Sequence, residues 1–498
     1  MAAREDWCSN QISKLLEEDL RVPTLNEIKD HFSSISPDEA RVTANNLQLA
    51  SIFDCLNDSN VEQVDLACEV LTLCMSNLTI GSSIGLYSTP LERAFNHPYA
   101  SVKIMALKEI QRNIETTSEL IKFCRQSKLM KSVIKCIADQ ELSVASIAKN
   151  IIFKVGVISE GMQVLVSPDM LNTIHEVMTT NEIIRLRMNE LVIEISKNSL
   201  SSMNVLESSG LLLPLLQDLD NNDVLLKMNI IELLGQLVVT EHGYQYLESK
   251  GTISKILNTY DSSDVASVQI CEPGILRFFG HLAHWKPSEA ITKHAKIVNR
   301  IYTAIQEVDS GVIGVCLDTL GYIGETNDGK FSLETTGDQL TVTLKSINNQ
   351  IQTYPTEIKL RALSCLESLF RITDFDSKTT NLIRKWYYSM DDNPMHWIYN
   401  FAKNPFHEIR LVTFNVLRSI SQHNWGQEIF RNTPGFVEFL LDRRIENFKE
   451  CKEEKYEIVK NLAFSSVFDH NTQKRFQDYV REGPFYVQAI TEVAIEGD

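Results

Sequence analysis

Apolar residues recur along this chain at helical spacing, in blocks that open the same way. A β-branched residue, often followed by a base, begins an apolar run at Val102-Lys103-Ile104-Met105, Ile184-Arg185-Leu186-Arg187-Met188, Val224-Leu225-Leu226-Lys227-Met228, Ile358-Lys359-Leu360-Arg361 and Ile409-Arg410-Leu411-Val412. Val144 and Val312 begin weaker copies. The anchors from Val102 to Val224 lie 42, 40 and 40 residues apart, and those from Val312 to Ile409 lie 46 and 51 apart. Armadillo and HEAT repeats have a period of about 40–47 residues. Behind Ile358 the apolar positions Ala362, Cys365, Leu366 and Leu369 share one face, the stripe of a helix buried on one side. The pattern predicts an all-α fold, an α-solenoid of armadillo/HEAT-like repeats.

Polar clusters with turn and cap chemistry precede the anchors: Asn96-His97-Pro98, Thr179-Thr180-Asn181-Glu182, Asp220-Asn221-Asn222-Asp223 and Asn404-Pro405-Phe406-His407-Glu408. A second punctuation recurs at Gly161, Gly243, Gly329 and Gly426, read as a glycine that ends one helix in a conformation other residues resist, with the next helix starting at once. Three helices per repeat follow, which favours armadillo-like units. Leu340-Thr341-Val342-Thr343-Leu344 alternates like a strand, but the repeat context makes it helix. Asp261 to Lys286, with Pro273-Gly274, and the longer gap before Ile409 read as loop insertions on one edge. Asp442 to Lys460 reads as a mixed-sign, solvated helix face, and Gly483-Pro484 starts an extended tail that caps the last helices. The expected organisation is an N-terminal helical cap at 1–60, one continuous repeat array at 61–482 and a C-terminal tail at 483–498.

Composition narrows the function classes. Of 498 residues, 43% are hydrophobic, which excludes wholesale disorder, and 48 Lys and Arg against 65 Asp and Glu leave a net charge of −17. That charge repels polyphosphate and anionic lipid surfaces, and no basic stripe overrides it, so neither nucleic acid nor membrane is expected as a partner. Arg4, Glu5 and Asp6 stand where a secretory signal needs an apolar run, and no segment approaches the ~18 apolar residues of a membrane span. The ten cysteines, among them Cys68, Cys74, Cys136, Cys316 and Cys365, fall mostly inside apolar helical patterns and form no CxxC pair. They read as reduced core thiols in an intracellular compartment.

Catalytic chemistry finds little support. Gly81-Ser82-Ser83-Ile84-Gly85 matches the GxSxG elbow of serine hydrolases, but a helical stripe (Val64, Ala67, Cys68, Leu71, Met75) precedes it where a strand is required, so it reads as a linker. His281 and His284, with His294, have neither an HExxH frame nor a carboxylate at ligand spacing, and read as imidazoles bonded to neighbouring carbonyls. Gly321, Gly324 and Gly329 do not form a phosphate loop. The late aromatics Trp386, Tyr387, Tyr388, Trp397, Tyr399, Phe401, Phe406 and Trp425 read as core. No catalytic residue, cofactor or metal site is expected.

Several longer stretches are more specific. Thr180-Asn181-Glu182-Ile183 through Ser196, Pro273-Gly274-Ile275-Leu276-Arg277-Phe278-Phe279-Gly280, Asp318-Thr319-Leu320-Gly321-Tyr322-Ile323-Gly324, Pro434-Gly435-Phe436-Val437-Glu438, Lys455-Tyr456-Glu457-Ile458-Val459-Lys460 and Glu482-Gly483-Pro484-Phe485-Tyr486-Val487 resemble, in order, the 26S proteasome non-ATPase regulatory subunit 5 family. The resemblance implies a non-catalytic chaperone for the base of the proteasome regulatory particle. Such a protein holds the C-terminal domain of one proteasomal ATPase subunit, in a module with a second ATPase and the large base scaffold subunit, and leaves before the mature particle forms. It is expected to be monomeric when free and cytoplasmic, with the nucleus left open. The alternative is an armadillo-type adaptor that binds extended peptides in transport or cytoskeletal complexes, which the absence of a regular Trp and Asn ladder disfavours. In a three-helix repeat the anchor helix lines the concave face, and positions three, six and ten after the anchor share one side. Those positions are Arg187, Glu190 and Glu194 after Ile184, Met105, Lys108 and Arg112 after Val102, and Lys227, Ile230 and Leu234 after Val224. Glu190 and Glu194, one turn apart, repel each other unless a cation sits between them, which marks them as the expected contact with a partner.

Overall fold

In the computed structural model, which describes residues 2–57, 59–221, 223–261, 265–309, 311–374 and 376–486, every regular element among the described residues is a helix. The chain separates into two compact units, Met1–Asp220 and Asn221–Asp498. Both repeat one motif: a short helix, a second helix, then usually a longer third helix, as in Thr117–Cys124, Ser127–Cys136 and Leu142–Gly156. We number only the third helices. In the first unit they are α1 (Arg21–Ser34), α2 (Val61–Ser76), α3 (Ala100–Asn113), α4 (Leu142–Gly156) and α5 (Glu182–Asn198). In the second they are α6 (Val224–Leu237), α7 (Val265–Trp285), α8 (Ile313–Ile323), α9 (Thr356–Phe370), α10 (His407–Ser421) and α11 (Lys449–Leu462). Within each unit consecutive third helices pack side by side. The three-helix, armadillo-like reading holds, and Leu340–Leu344 lies inside the helix Asp338–Gln350.

Cap chemistry starts these helices where expected. Asn181 accepts from the Ile184 amide at the head of α5, and Asp223 accepts from the Leu225 and Leu226 amides at the head of α6. The third residue of the helix is then the core anchor: Val102, Val144, Ile184, Leu226, Ile409 and Cys451 are all buried. Each fully buried aliphatic side chain of this kind contributes about 1.5–3 kcal/mol.

Three expectations change. Residues 265–285 are not a loop but the long helix α7, with Pro273 inside it. The missing Pro N–H breaks one backbone bond, but Cys271, Ile275, Leu276, Phe278, Phe279 and Leu282 are all buried, and that packing outweighs the local penalty. Gly161, Gly243, Gly329 and Gly426 do not end helices; they lie in the first turn of the following one, without positive φ. A Cβ there would overlap the carbonyl oxygen of Val155, Leu237, Ile323 or Ile420, so the glycine permits a close approach of backbone to backbone at the bend between two helices. Lastly, 442–460 is not merely solvated: α11 buries Cys451, Lys455, Ile458, Val459 and Leu462. The Lys455 ammonium donates to the Asp442 carbonyl at 2.6 Å. Of the expected tail, Val487 onward lies outside the described residues, while Arg443 holds its start, donating to the Gly483 carbonyl at 2.6 Å.

Candidate protein-binding surface

Charged side chains on the third helices mostly pair with the neighbouring repeat. Lys29 on α1 meets Glu69 on α2, Arg277 on α7 meets Glu232 on α6, Arg361 on α9 meets Asp318 on α8, and Arg418 on α10 meets Glu454 on α11. Lys149 on α4 reaches Glu190 at 3.1 Å and Glu194 at 3.2 Å, both on α5. Burial alone would lower the Lys149 pKa, but the hydrogen bonds and charges of the two glutamates hold it above the usual lysine value. The cation that Glu190 and Glu194 require therefore comes from the chain itself, and their spacing no longer argues for a partner.

The other candidate positions divide by packing. Arg187 donates to the carbonyls of Ile137 and Asp139 at 3.0 and 2.9 Å, closing the end of the helix Ser127–Cys136. Arg112 chelates Glu109 and donates to the Met75 carbonyl at 2.7 Å, closing the end of α2. Met105, Ile230 and Leu234 are core, which corrects their assignment to a surface; Lys108 is exposed and Lys227 half-buried. The cause at α6 is register. Val224 is the first residue of its helix, whereas Val102 and Ile184 are third residues. Counting from the true counterpart, Leu226, gives Asn229, Glu232 and Gln236, none of them buried. Met105 is lost for a different reason: a third helix packs against both neighbours and its own repeat, which leaves a narrow exposed strip.

Enzyme-like features resolve as structure. Ser83 is fully buried and donates to Glu109. His284 Nδ1 lies 2.8 Å from the Tyr322 carbonyl, with its ring stacked on Tyr322 at 4.0 Å. Among the described residues no group of His, Cys, Asp and Glu is arranged to hold a metal. The aromatics split: Trp386, Tyr387, Trp397 and Trp425 are core, while Tyr388 and Phe406 are exposed. An open groove of about 410 Å³ runs past Tyr388, His396, Tyr399, Asn400 and Asn432. Its aromatic faces already hold cations of the chain, Arg384 over Tyr388 and Lys403 over Tyr399 at 3.5 Å.

What remains unaccounted for is a series of exposed apolar side chains at the starts of the third helices. Val61 opens α2, Leu142 opens α4 and Ile183 is second in α5; in the other unit Leu225 is second in α6, Val265 opens α7, and Phe406 and Phe448 precede α10 and α11. Sequence reasoning passed over this series because it counted inward from the anchor. The signal was present as an aliphatic residue between the polar cap and the anchor at α4, α5 and α6, and as Phe406 and Phe448 just before α10 and α11.

The family model for the proteasome non-ATPase 26S subunit matches residues 4–498, including the segment before Val61. The chain belongs to that family. Members similar to it are named 26S proteasome non-ATPase regulatory subunit 5. The human protein is 32% identical over 95% of both chains, the bovine one 31% identical over 100% of both, and the Drosophila melanogaster one 24% identical over 100% of this chain and 99% of its own. A solved engineered protein covers 88% of this chain with a TM-score of 0.36 and 12% identity, too slight a likeness to bear on the family's fold.

Proposed function

We propose that this member of the family is a non-catalytic assembly chaperone for the base of the proteasome regulatory particle. It holds the C-terminal domain of a proteasomal ATPase subunit, in a module with a second ATPase and the large base scaffold subunit, and leaves before the mature 26S proteasome forms. It acts in the cytoplasm, with the nucleus left open, is monomeric when free, and binds neither nucleic acid nor membrane. The observation that carries the reading is the family match along nearly the whole chain, to relatives named as non-ATPase proteasome subunits. The all-helical repeat agrees with it, since stacked repeats present extended surfaces suited to large folded partners. So does the net charge of −17, which favours a basic partner surface. Affinity capture of the tagged chain from cell lysate, with bound proteins identified by mass spectrometry, tests it. Free base subunits without core-particle subunits are expected. Capture of no proteasomal ATPase subunit overturns the reading.

A further inference from the structure

Resting on that reading, we propose that the first-turn edge of the third helices in the unit Met1–Asp220 is a docking surface, carried by Val61, Leu142 and Ile183 with Glu62, Glu141 and Glu182. Its occupant is a folded protein surface on which lysine or arginine side chains flank aliphatic ones.

The aliphatic residues are the first observation. Val61, Leu142 and Ile183 are 51%, 70% and 66% exposed. Thr117, Ser127, Ser159 and Pro168 open other helices of this unit with residues suited to a solvated first turn, while Leu200 and Leu213 open two of its shorter helices 56% and 55% exposed. Exposed aliphatic side chains at the first or second residue of α2, α4 and α5 gain nothing from packing in the free protein. Their place on aligned third helices, rather than exposure alone, distinguishes them from the scattered apolar residues of any surface.

Their placement is the second. Lys149 lies seven residues after Leu142 and pairs with Glu190, seven after Ile183, so α4 and α5 run parallel and in register. Arg112, near the end of α3, bonds carbonyls at the end of α2, and Lys103, near the start of α3, bonds Asp139 just before α4 at 2.6 Å. All four helices therefore start on one edge. At about 8–10 Å between packed helices, Val61 and Ile183 stand roughly 25–30 Å apart. That length exceeds a small ligand and matches a standard protein interface of about 800 Å² per partner.

Charge selects the occupant. Each aliphatic residue has a carboxylate beside it in sequence: Glu62, Glu141 and Glu182, all exposed. Among the described residues Glu62 and Glu141 have no cationic partner, and Glu182 has only Arg185 at 3.7 Å. Acidic residues in a first turn stabilise the helix dipole by about 0.3–1 kcal/mol, which explains the glutamates alone but not the aliphatics beside them. Together they form paired apolar and negative points on α2, α4 and α5, with Ala100 and Ser101 of α3 between the first two, complementary to a basic and aliphatic surface.

The test uses the purified full chain and individually purified proteasomal ATPase subunits as probes, with binding measured by interferometry and stability by thermal unfolding. The variants are Leu142→Ser with Ile183→Ser, Glu141→Lys with Glu182→Lys, and the off-edge control Leu16→Ser with Leu86→Ser, whose leucines are 73% and 67% exposed. Each edge pair is expected to weaken binding of the cognate subunit at least about tenfold with an unchanged melting temperature, and the control to bind like the wild type. Wild-type affinity in both edge variants overturns this surface and leaves the chaperone reading standing. Failure of the wild-type chain to bind any ATPase subunit overturns that reading, and this surface with it.

Discussion

Lys149 shows how a single side chain changes the meaning of its neighbours. Reversing Glu190 and Glu194 to Lys places three ammonium groups where one was neutralised by two carboxylates. Because these side chains are partly exposed, the expected loss of stability is only about 1 kcal/mol, read as a lower urea midpoint, and Lys149→Glu in the same background is expected to restore part of it. Two other lysines carry a pH signature. Lys330 is fully buried, donates to the carbonyls of Gly324, Glu325 and Ser368, and is pushed by burial from 10.5 to about 8; burial does the same to Lys455. The unfolded chain then binds protons that the folded chain has released, so these groups make stability rise with pH above about 8. Above 9.0 the buried thiols reverse the sign: Cys68, Cys136, Cys316 and Cys451 are pushed by burial to about 12, so only the unfolded chain ionises there. Between pH 8 and 9, set by the lysine and thiol values, Lys330→Met is expected to flatten the rise in unfolding midpoint. An unchanged slope would place the Lys330 proton elsewhere.

At the scale of elements, the glycines after α4, α6 and α10 offer a sharper test. Gly161→Ala, Gly243→Ala and Gly426→Ala each force a Cβ against a backbone carbonyl and are expected to cost about 1–3 kcal/mol or more, measured by denaturant unfolding. Gly210→Ala, at φ +82° with open space around it, is expected to cost only the ~1–2 kcal/mol of a left-handed residue. Equal costs would remove the close-approach argument. The same glycines show what was legible beforehand. Their spacing marked the bends, because a repeat writes the same constraint many times, but their conformational role was invisible, because overlap with a carbonyl six residues earlier is a tertiary fact. Pro273-Gly274 misled for a related reason: local turn chemistry is a weak signal against a helix buried on most sides. The candidate surface was legible in part. Helical spacing places Glu190 and Glu194 on one face, yet only the packing of α4 on α5 shows Lys149 between them.

At the scale of the whole chain, repeats stacked within one unit share their core, so a cut inside a unit leaves an apolar end. Deleting everything after Leu417 removes α11 and bares the buried face of α10 that holds Ile409 and Phe414; lower solubility and a less cooperative transition are expected by sedimentation and thermal unfolding. Net charge makes a different demand. With −17 on the chain and its ion pairs mostly internal, the unneutralised carboxylates set a long-range field that a basic partner feels before contact. Salt shortens that field from a Debye length of about 30 Å at 0.01 M to about 10 Å at 0.1 M. If the partner surface is basic, association with the purified ATPase subunit slows steeply over this range while dissociation, governed by the aliphatic contacts, changes little. Charge reversal at Glu141 and Glu182 is then expected to reduce the salt dependence of association, and Leu142→Ser with Ile183→Ser to speed dissociation without altering that dependence. An association rate indifferent to salt in the wild-type chain would mean that its negative charge serves solubility alone, and that recognition rests on apolar contacts without electrostatic steering.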